Sequence, residues 1–228
     1  MGELLRRRAL MAASSGGAAP IDCPYITDGL IFWLDGLRKG DNTGIWPELV
    51  GGKDFTLIGA TFTEKGIYFG NSTSNYGYYD GPVSEDFNNE TIELAFNGFT
   101  SYQNNTIFSQ PMVDGKVGAS FIVGSDTVNT SMALDGVSRA RWTGLKAAKT
   151  ASVNMSYAVE NGRALSKGSN DSWGANTSGR TFVSARTAGS ANRFKNQIFC
   201  IRIYNRRLSV AEMQHNQAID VERFGISY

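Results

Sequence analysis

The sequence is poor in the residues that most often carry catalysis, metal binding or covalent cross-links. Its 228 residues include one histidine and two cysteines, Cys23 and Cys200. Structural zinc sites need several Cys or His ligands, and a catalytic triad needs a histidine beside a nucleophile in a recognisable motif. We therefore expect no metal site and no triad. His215 is expected on the surface of a helix.

The chain also lacks a strong charge of either sign and any long apolar run. Its formal net charge is +1 at pH 7. This balance does not favour a nucleic acid or an anionic membrane surface as a partner, and the apolar runs are too short to cross a bilayer. We predict that neither is a partner.

Proline is scarce, whereas glycine and aromatic residues are plentiful. There are five prolines and 26 glycines. Hydrophobic residues make up 41% of the chain, and aromatic residues make up 11% of it. Such a composition suits many short strands, tight turns and a filled core, and this length fits one domain. The period-2 segments predict strands at Gly29–Asp35, Phe55–Ile58, Thr61–Phe62, Gly66–Phe69, Thr91–Phe96, Thr106–Ser109, Ala119–Val123, Ser131–Leu134, Val153–Val159 and Thr181–Ala185. Strands at this spacing indicate a sandwich or jelly roll.

The stretch Asn196–Leu208 is the clearest strand in the chain. Its alternation predicts one face made of Phe199, Ile201 and Ile203 and an opposite face made of Ile198, Cys200, Arg202 and Tyr204. In the first strand the same rule puts Leu30, Phe32 and Leu34 on one face, and Ile31 and Trp33 on the other.

A helix is predicted directly after this strand. Ser209 and Glu212 have the spacing of a capping box, and Leu208 and Met213 can form the hydrophobic staple around it. The helix should therefore run from about Val210 to Glu222.

The first 20 residues differ in composition from the rest. Met1–Met11 can form a short basic amphipathic helix, and a linker of small residues follows to Pro20. The apolar stretch after the arginines is short for a signal peptide. A disordered tail is the ordinary alternative, but we predict an assembly arm that docks through Leu4, Leu5, Arg6, Arg7, Arg8, Leu10 and Met11.

Both ends of the remaining chain resemble the laminin-G-like, concanavalin A-like lectin/glucanase superfamily, in particular its bacterial and bacteriophage subgroup. Asn196–Glu212 is similar to the family's segment G-K-I-Y-x-I-R-I-Y-N-R-x-L-S-x-x-E, and Gly29–Gly36 resembles its opening strand. Where the family has W-x-D-L-S-G-N, this chain has Trp46, Glu48 and Leu49, and we expect the longer glutamate not to close the same local turn.

The resemblance implies an all-β fold, an antiparallel jelly-roll β-sandwich with a short C-terminal helix and an N-terminal extended or helical arm. We assign residues 1–25 to the anchoring arm and linker and residues 26–228 to the sandwich. In this family the first and last strands usually lie side by side. Cys23 and Cys200 could therefore pair, although we favour two reduced thiols.

Sugars stack their C–H faces on aromatic rings and bond their hydroxyls to carboxylates, amides or backbone groups. Three segments have that content, and the glycan-binding candidates in them are Tyr76, Tyr78, Asp80, Trp142, Trp173 and Asn176. The alternative is that Tyr76 and Tyr78 are ordinary strand residues and Trp173 packs beneath a loop.

Glycan-cleaving enzymes of this fold carry several acidic residues at alternate positions of one strand. Thr91–Phe96 offers only Glu93, which we expect to face solvent. We therefore predict that the chain is not an enzyme. Calcium is an alternative to a metal-free protein, with candidate ligands Asp41, Asn42, Asp80 and Asp126, but such residues are also the normal content of turns.

These observations favour a structural virion protein of a tailed bacteriophage, located in the virion as a capsid decoration, head fibre or tail-associated protein. It would attach to other virion proteins through residues 1–20, form a homo-oligomer and display a lectin-like domain to host or mucosal glycans. The alternative is a bacterial surface or secreted carbohydrate-binding protein without enzymatic activity.

Overall fold

The structure is a computed structural model that describes residues 23–40, 44–70, 72, 74–84, 87, 89–98, 105–111, 119–123, 129–134, 138–143, 149–166, 179–188 and 193–228. The predicted assembly arm lies outside the described residues, as do Asp41, Asn42, Asp126, Trp173 and Asn176. Trp142 lies in a described strand, but its side chain is outside the described part.

The described chain forms two antiparallel sheets. The strands, numbered in chain order, are β1 Leu30–Asp35, β2 Ile45–Trp46, β3 Phe55–Ile58, β4 Thr61–Phe62, β5 Ile67–Tyr68, β6 Tyr76–Tyr79, β7 Thr91–Phe96, β8 Asn105–Gln110, β9 Ala119–Val123, β10 Asn129–Leu134, β11 Ser138–Thr143, β12 Thr150–Val153, β13 Ala158–Glu160, β14 Arg163–Ala164, β15 Thr181–Val183 and β16 Gln197–Tyr204. The first sheet has the order β14-β13-β12-β7-β16-β5-β4, with β1 also paired to β16; the second has the order β11-β10-β9-β8-β15-β6-β3-β2. The prediction of an all-β sandwich is confirmed.

The main core fills the space between the two sheets. Phe32 and Ile201 of the first sheet face Phe55 and Phe108 of the second, and all four are fully buried. The rings of Phe32 and Phe55 meet edge to face with centroids 5.8 Å apart, a geometry that aromatic pairs favour. These contacts fix which face of each sheet is turned outward.

Two irregularities change the predicted faces of β1 and β16. The pairing register shifts between Ile198 and Cys200 where β16 meets β7, and near Leu30 where β1 meets β16. A bulge puts two residues of one strand opposite one of its partner and resets the alternation. As a result Ile198 faces the main core, while Phe199 and Leu30 face the opposite side, contrary to the sequence-based assignment.

A predicted strand at Val153–Val159 is wrong. Asn154 breaks it: its backbone N–H donates to Tyr157 O, and its side-chain Oδ1 accepts from the backbone N–H groups of Ser156 and Tyr157 at 2.8 and 2.9 Å. This is a turn closed by an asparagine side chain. The segment therefore becomes the hairpin between β12 and β13.

The C-terminal helix α1 spans Val210–Phe224 and covers the outer face of the first sheet. Ser209 and Glu212 form the predicted capping box, and Gly225, with φ of 61°, ends the helix in the left-handed conformation. Leu208 and Met213 are buried in one cluster beneath it. Among the described residues, no helix has both the length and the apolar character that crossing a membrane requires.

Glu48 joins β1 to the loop that follows β2. Its carboxylate accepts hydrogen bonds from the backbone N–H groups of Trp33 at 2.7 Å, Val50 at 2.9 Å and Lys53 at 3.3 Å. Burial raises the pKa of Glu48, and these backbone donors act in the opposite direction. The long side chain of Glu48 therefore bonds within its own loop and also reaches back to β1.

The start of α1 generates a prediction about acid stability. Arg206 Nη2 donates to Glu212 Oε1 at 2.6 Å, and this contact lowers the pKa of Glu212 from its ordinary value of 4.5 to about 2. A carboxyl group with a lowered pKa in the folded state stabilises the fold above its unfolded pKa, and the gain disappears as the pH falls towards the folded pKa. We expect Glu212→Gln to lower the free energy of unfolding by about 0.5–1 kcal/mol at pH 7.

Denaturant unfolding at pH 7, 4 and 2 measures the difference in unfolding free energy between the wild-type protein and Glu212→Gln. The difference in unfolding free energy should shrink between about pH 5 and pH 2, because the Glu212 carboxyl group of the unfolded wild-type chain takes up a proton in this range while that of the folded protein stays largely ionised. Glu222→Gln, an exposed position on the same helix, is the matched control and should change little. A difference that stays constant with pH would contradict the prediction.

Candidate functional site

Three of the glycan-binding candidates lie together on the second sheet. Tyr76 and Tyr78 belong to β6, and Asp80 follows its last residue. Trp142 lies in β11, and four other strands separate β11 from β6 in the same sheet. The structure therefore groups Tyr76, Tyr78 and Asp80, and it places the strand of Trp142 elsewhere.

The alternation of β6 turns the two tyrosines outward. Tyr79 stacks on Phe55 in the core with ring centroids 6.1 Å apart. A Cβ atom at Gly77 would lie 3.0 Å from Leu57 Cδ2, so the strand approaches the core closely at this glycine. Tyr76 and Tyr78 consequently share the outer face, half-buried, with ring centroids 6.0 Å apart.

Arg180 completes this group, although sequence reasoning missed it. Its Nε lies 2.6 Å from Asp80 Oδ1, and its guanidinium carbon lies 4.6 Å from the centroid of the Tyr78 ring. The pairing of Thr181 with Tyr79 brings residues 180 and 80 side by side. Only the strand pairing, which the sequence pattern does not specify, could have revealed this neighbour.

Arg193 is a buried arginine that contacts the Tyr76 ring. It is 2% exposed, and its guanidinium carbon lies 4.8 Å from the centroid of the Tyr76 ring. The guanidinium donates to the backbone carbonyls of Asn75, at 3.2 Å, and Ala188. Burial lowers the pKa of Arg193. This cation holds the tyrosine strand in place.

We call Tyr76, Tyr78, Asp80 and Arg180 the tyrosine patch. It offers two part-exposed aromatic rings beside an ion pair whose side chains are 69% exposed at Asp80 and 43% at Arg180. Ile58, 40% exposed, lies opposite Tyr76 in the neighbouring strand. Aromatic and apolar surface next to charged hydrogen-bonding groups is suited to an amphipathic ligand such as a sugar.

Glu93, by contrast, is fully buried beneath α1, so the expectation that it faces solvent is wrong. Its carboxylate accepts from Arg202 Nε at 3.0 Å, Asn216 Nδ2 at 2.8 Å and Ser152 Oγ at 2.9 Å. A buried carboxylate needs such partners because it has lost its water. Burial raises the pKa of Glu93, and Arg202 counteracts that rise.

Arg202 is the centre of this buried group. Its Nη1 and Nη2 donate to the two carboxylate oxygens of Asp220 on α1, both at 2.7 Å, and its guanidinium carbon lies 3.8 Å from the Tyr25 ring centroid. Tyr25 OH donates to Asp220 Oδ1 at 2.8 Å. Arg223 extends the group, because it donates to Tyr25 OH and to Asp35 Oδ2, each at 2.7 Å.

This ionic cluster, defined by Tyr25, Asp35, Glu93, Arg202, Asp220 and Arg223, lies between the first sheet and α1. The side chains of Glu93, Arg202 and Asp220 have no exposed area. Substrate cannot reach them in this conformation. The cluster therefore joins the helix to the sheet, and it is not a candidate binding site.

The described cysteines and proposed calcium ligands do not form a metal centre. Within the described ranges, no three His, Cys, Asp or Glu residues are grouped as metal ligands. Asp80 is paired with Arg180. Cys23 and Cys200 both have free thiols, and burial raises the pKa of each. His215 is exposed on α1, as predicted.

Solved structures with the same fold include enzymes and toxin domains. The chain is similar to Trypanosoma rangeli sialidase in complex with sialic acid, with 12% sequence identity and a TM-score of 0.61, over 92% of this chain and 37% of the sialidase. It is also similar to the receptor-binding domain of botulinum neurotoxin C/D mosaic serotype, with 12% identity and a TM-score of 0.54, over 86% of this chain and 52% of that one. No protein-family model matches the chain. No curated protein matches it either.

The prediction that the chain is not an enzyme is overturned by this comparison, because sialidases share its fold. At 11–12% identity the similarity is one of fold alone, and the chain spans little more than a third of the sialidase. The sequence argument considered only carboxylates at alternate positions of one strand. That criterion is too narrow for a sandwich found within enzymes of another kind.

The ionic cluster generates a stability prediction. Arg202→Met keeps much of the side-chain length but leaves Glu93 and Asp220 buried without their cation. Removing one partner of a buried ion pair costs about 3–5 kcal/mol, and we expect a loss of that size in denaturant unfolding. His215→Ala, an exposed change on the same helix, should stay within about 0.5 kcal/mol of wild type. An Arg202→Met protein as stable as the control would refute the role assigned to the cluster.

Proposed function

We propose that this chain is a structural virion protein of a tailed bacteriophage whose sandwich binds carbohydrate through the tyrosine patch. The observation that carries the carbohydrate part is the grouping of Tyr76, Tyr78, Asp80 and Arg180 on one outward face. The location on a virion is supported by the N-terminal sequence and by the resemblance of the chain's ends to the bacteriophage subgroup.

The chemistry of the patch supports a glycan. The two rings supply apolar surface for sugar C–H groups, while Asp80 accepts and Arg180 donates hydrogen bonds to hydroxyls. Arg193 and the core contacts of Tyr79 hold the strand that carries the rings. A prearranged surface loses less conformational entropy when a ligand binds.

We further propose that the sandwich is of the concanavalin A-like, laminin-G-like type. The two segments that suggested this family contain β1 and β16, and these two strands pair from Leu30 with Tyr204 to Asp35 with Cys200. The capping box that closes the motif starts α1. Solved sandwiches of sialidase and toxin domains support the sandwich class, in line with this finer assignment.

Attachment to a particle would use residues 1–20. Leu4, Leu5, Leu10 and Met11 can bury apolar surface, and the three arginines Arg6–Arg8 can make charge-assisted hydrogen bonds to acidic groups. Many copies on a symmetric particle multiply weak contacts of both the arm and the patch. A bacterial surface or secreted carbohydrate-binding protein is the second candidate, and it would use the same patch.

The patch is tested by Tyr78→Ala on an array of bacterial and mucin glycans, with the protein presented multivalently. We expect binding to fall about tenfold or more, because a sugar loses its stacking surface. Tyr157→Ala removes a tyrosine that is 50% exposed in the hairpin turn between β12 and β13, and this matched control should bind as wild type does. If the wild-type protein binds no glycan on the array, the proposal that it binds carbohydrate is contradicted.

The arm is tested by deleting residues 1–20. We expect a folded sandwich with an unchanged unfolding midpoint that no longer joins phage particles, because the basic and small-residue composition of residues 1–20 sets them apart from the strand-forming sequence. Particle incorporation is measured by quantitative mass spectrometry of purified virions. Normal incorporation of the shortened chain would contradict the attachment role and favour the second candidate.

A further inference from the structure

We infer that the tyrosine patch selects neutral sugars over acidic ones. The inference rests on the proposed carbohydrate function and names the class of ligand for that same site. It depends on the charge and exposure of the groups around the two rings, and on which of them can face a ligand.

The exposed charges of the patch cancel. Arg180 and Asp80 form an ion pair at 2.6 Å, and Asp80 is the more exposed partner, at 69% against 43%. A sugar carboxylate that approaches Arg180 therefore meets the carboxylate of Asp80 at the same place. Like charges at this distance repel one another, and the attraction of Arg180 is already offset.

The second cation beside the rings does not change this balance. Arg193 lies over Tyr76 but is 2% exposed. Its guanidinium donates to the carbonyl oxygens of Asn75 and Ala188. These contacts direct its hydrogen-bond donors into the protein, so they do not provide an anion site on the outer face.

A neutral sugar, in contrast, fits all of the exposed groups. Each hydroxyl of a pyranose can both donate and accept, so adjacent hydroxyls match a carboxylate next to a guanidinium. The C–H face of the ring can lie against Tyr78, Tyr76 and the exposed Ile58. The patch provides one acceptor group, one donor group and apolar surface, without net charge.

The test compares neutral and acidic sugars on the full chain by saturation-transfer NMR and titration. The neutral probes are the methyl glycosides of galactose, glucose, mannose and N-acetylglucosamine, and the acidic probe is the methyl glycoside of N-acetylneuraminic acid. We expect at least one neutral probe to bind more tightly than the acidic probe. Its affinity should change little between about 50 and 500 mM salt, because no net charge is involved.

Asp80→Asn provides the sharper comparison, because it removes the negative charge that lies 2.6 Å from Arg180 Nε. The affinity for the acidic probe should rise about fivefold or more and become salt-dependent. Asp28→Asn is the matched control: Asp28 is also an exposed aspartate paired with an arginine, 2.8 Å from Arg206 Nε. That variant should leave both affinities unchanged.

The outcomes separate this inference from the proposed function. If the wild-type protein prefers the acidic probe and Tyr78→Ala abolishes that binding, the inference falls while the carbohydrate site stands. If Asp80→Asn leaves the affinity for the acidic probe unchanged, the charge argument falls. If no probe binds, or if Tyr78→Ala leaves binding intact, both the inference and the proposed site are overturned.

Discussion

The position of the helix depends on one buried cation. Arg202 contacts Glu93 of the neighbouring strand and Asp220 of α1, and none of the three side chains has exposed area. Three ionised groups that are buried away from water are stable only when they form hydrogen bonds of good geometry with one another. The arrangement fixes the rotation of α1 about its axis, because Asn216 and Asp220 must face β7 and β16 together. Apolar contacts alone would tolerate a slide of the helix along the sheet.

The ionic cluster and the proposed glycan site lie on opposite sides of the molecule. The ionic cluster lies beneath α1 on the outer face of the first sheet, and the tyrosine patch lies on the outer face of the second. The main core separates them. Surface residues of the patch can therefore vary with little consequence for the packing of α1.

The sequence predicts regular elements well where a short local pattern decides the structure. The capping box at Ser209 and Glu212 locates the start of α1, and short runs of strand-favouring residues locate β3, β7 and β9. Local patterns fail where the outcome depends on pairing or on one side chain. The bulge near Phe199 reverses a face, and Asn154 converts a predicted strand into a hairpin. Of the candidate site, Tyr76, Tyr78 and Asp80 could be named from composition, whereas Arg180 could not, because its position depends on the pairing of β15 with β6.

Tyr25 has a mechanical consequence for a chain held by its first residues. Its hydroxyl donates to Asp220 and accepts from Arg223, and the next backbone N–H, that of Ile26, donates to Asn216 at 3.0 Å. A tensile load applied upstream of Cys23 would therefore pass into the C-terminal helix before it reaches the first strand. Such a load would first reach the layer in which Arg202 joins α1 to the first sheet through Asp220.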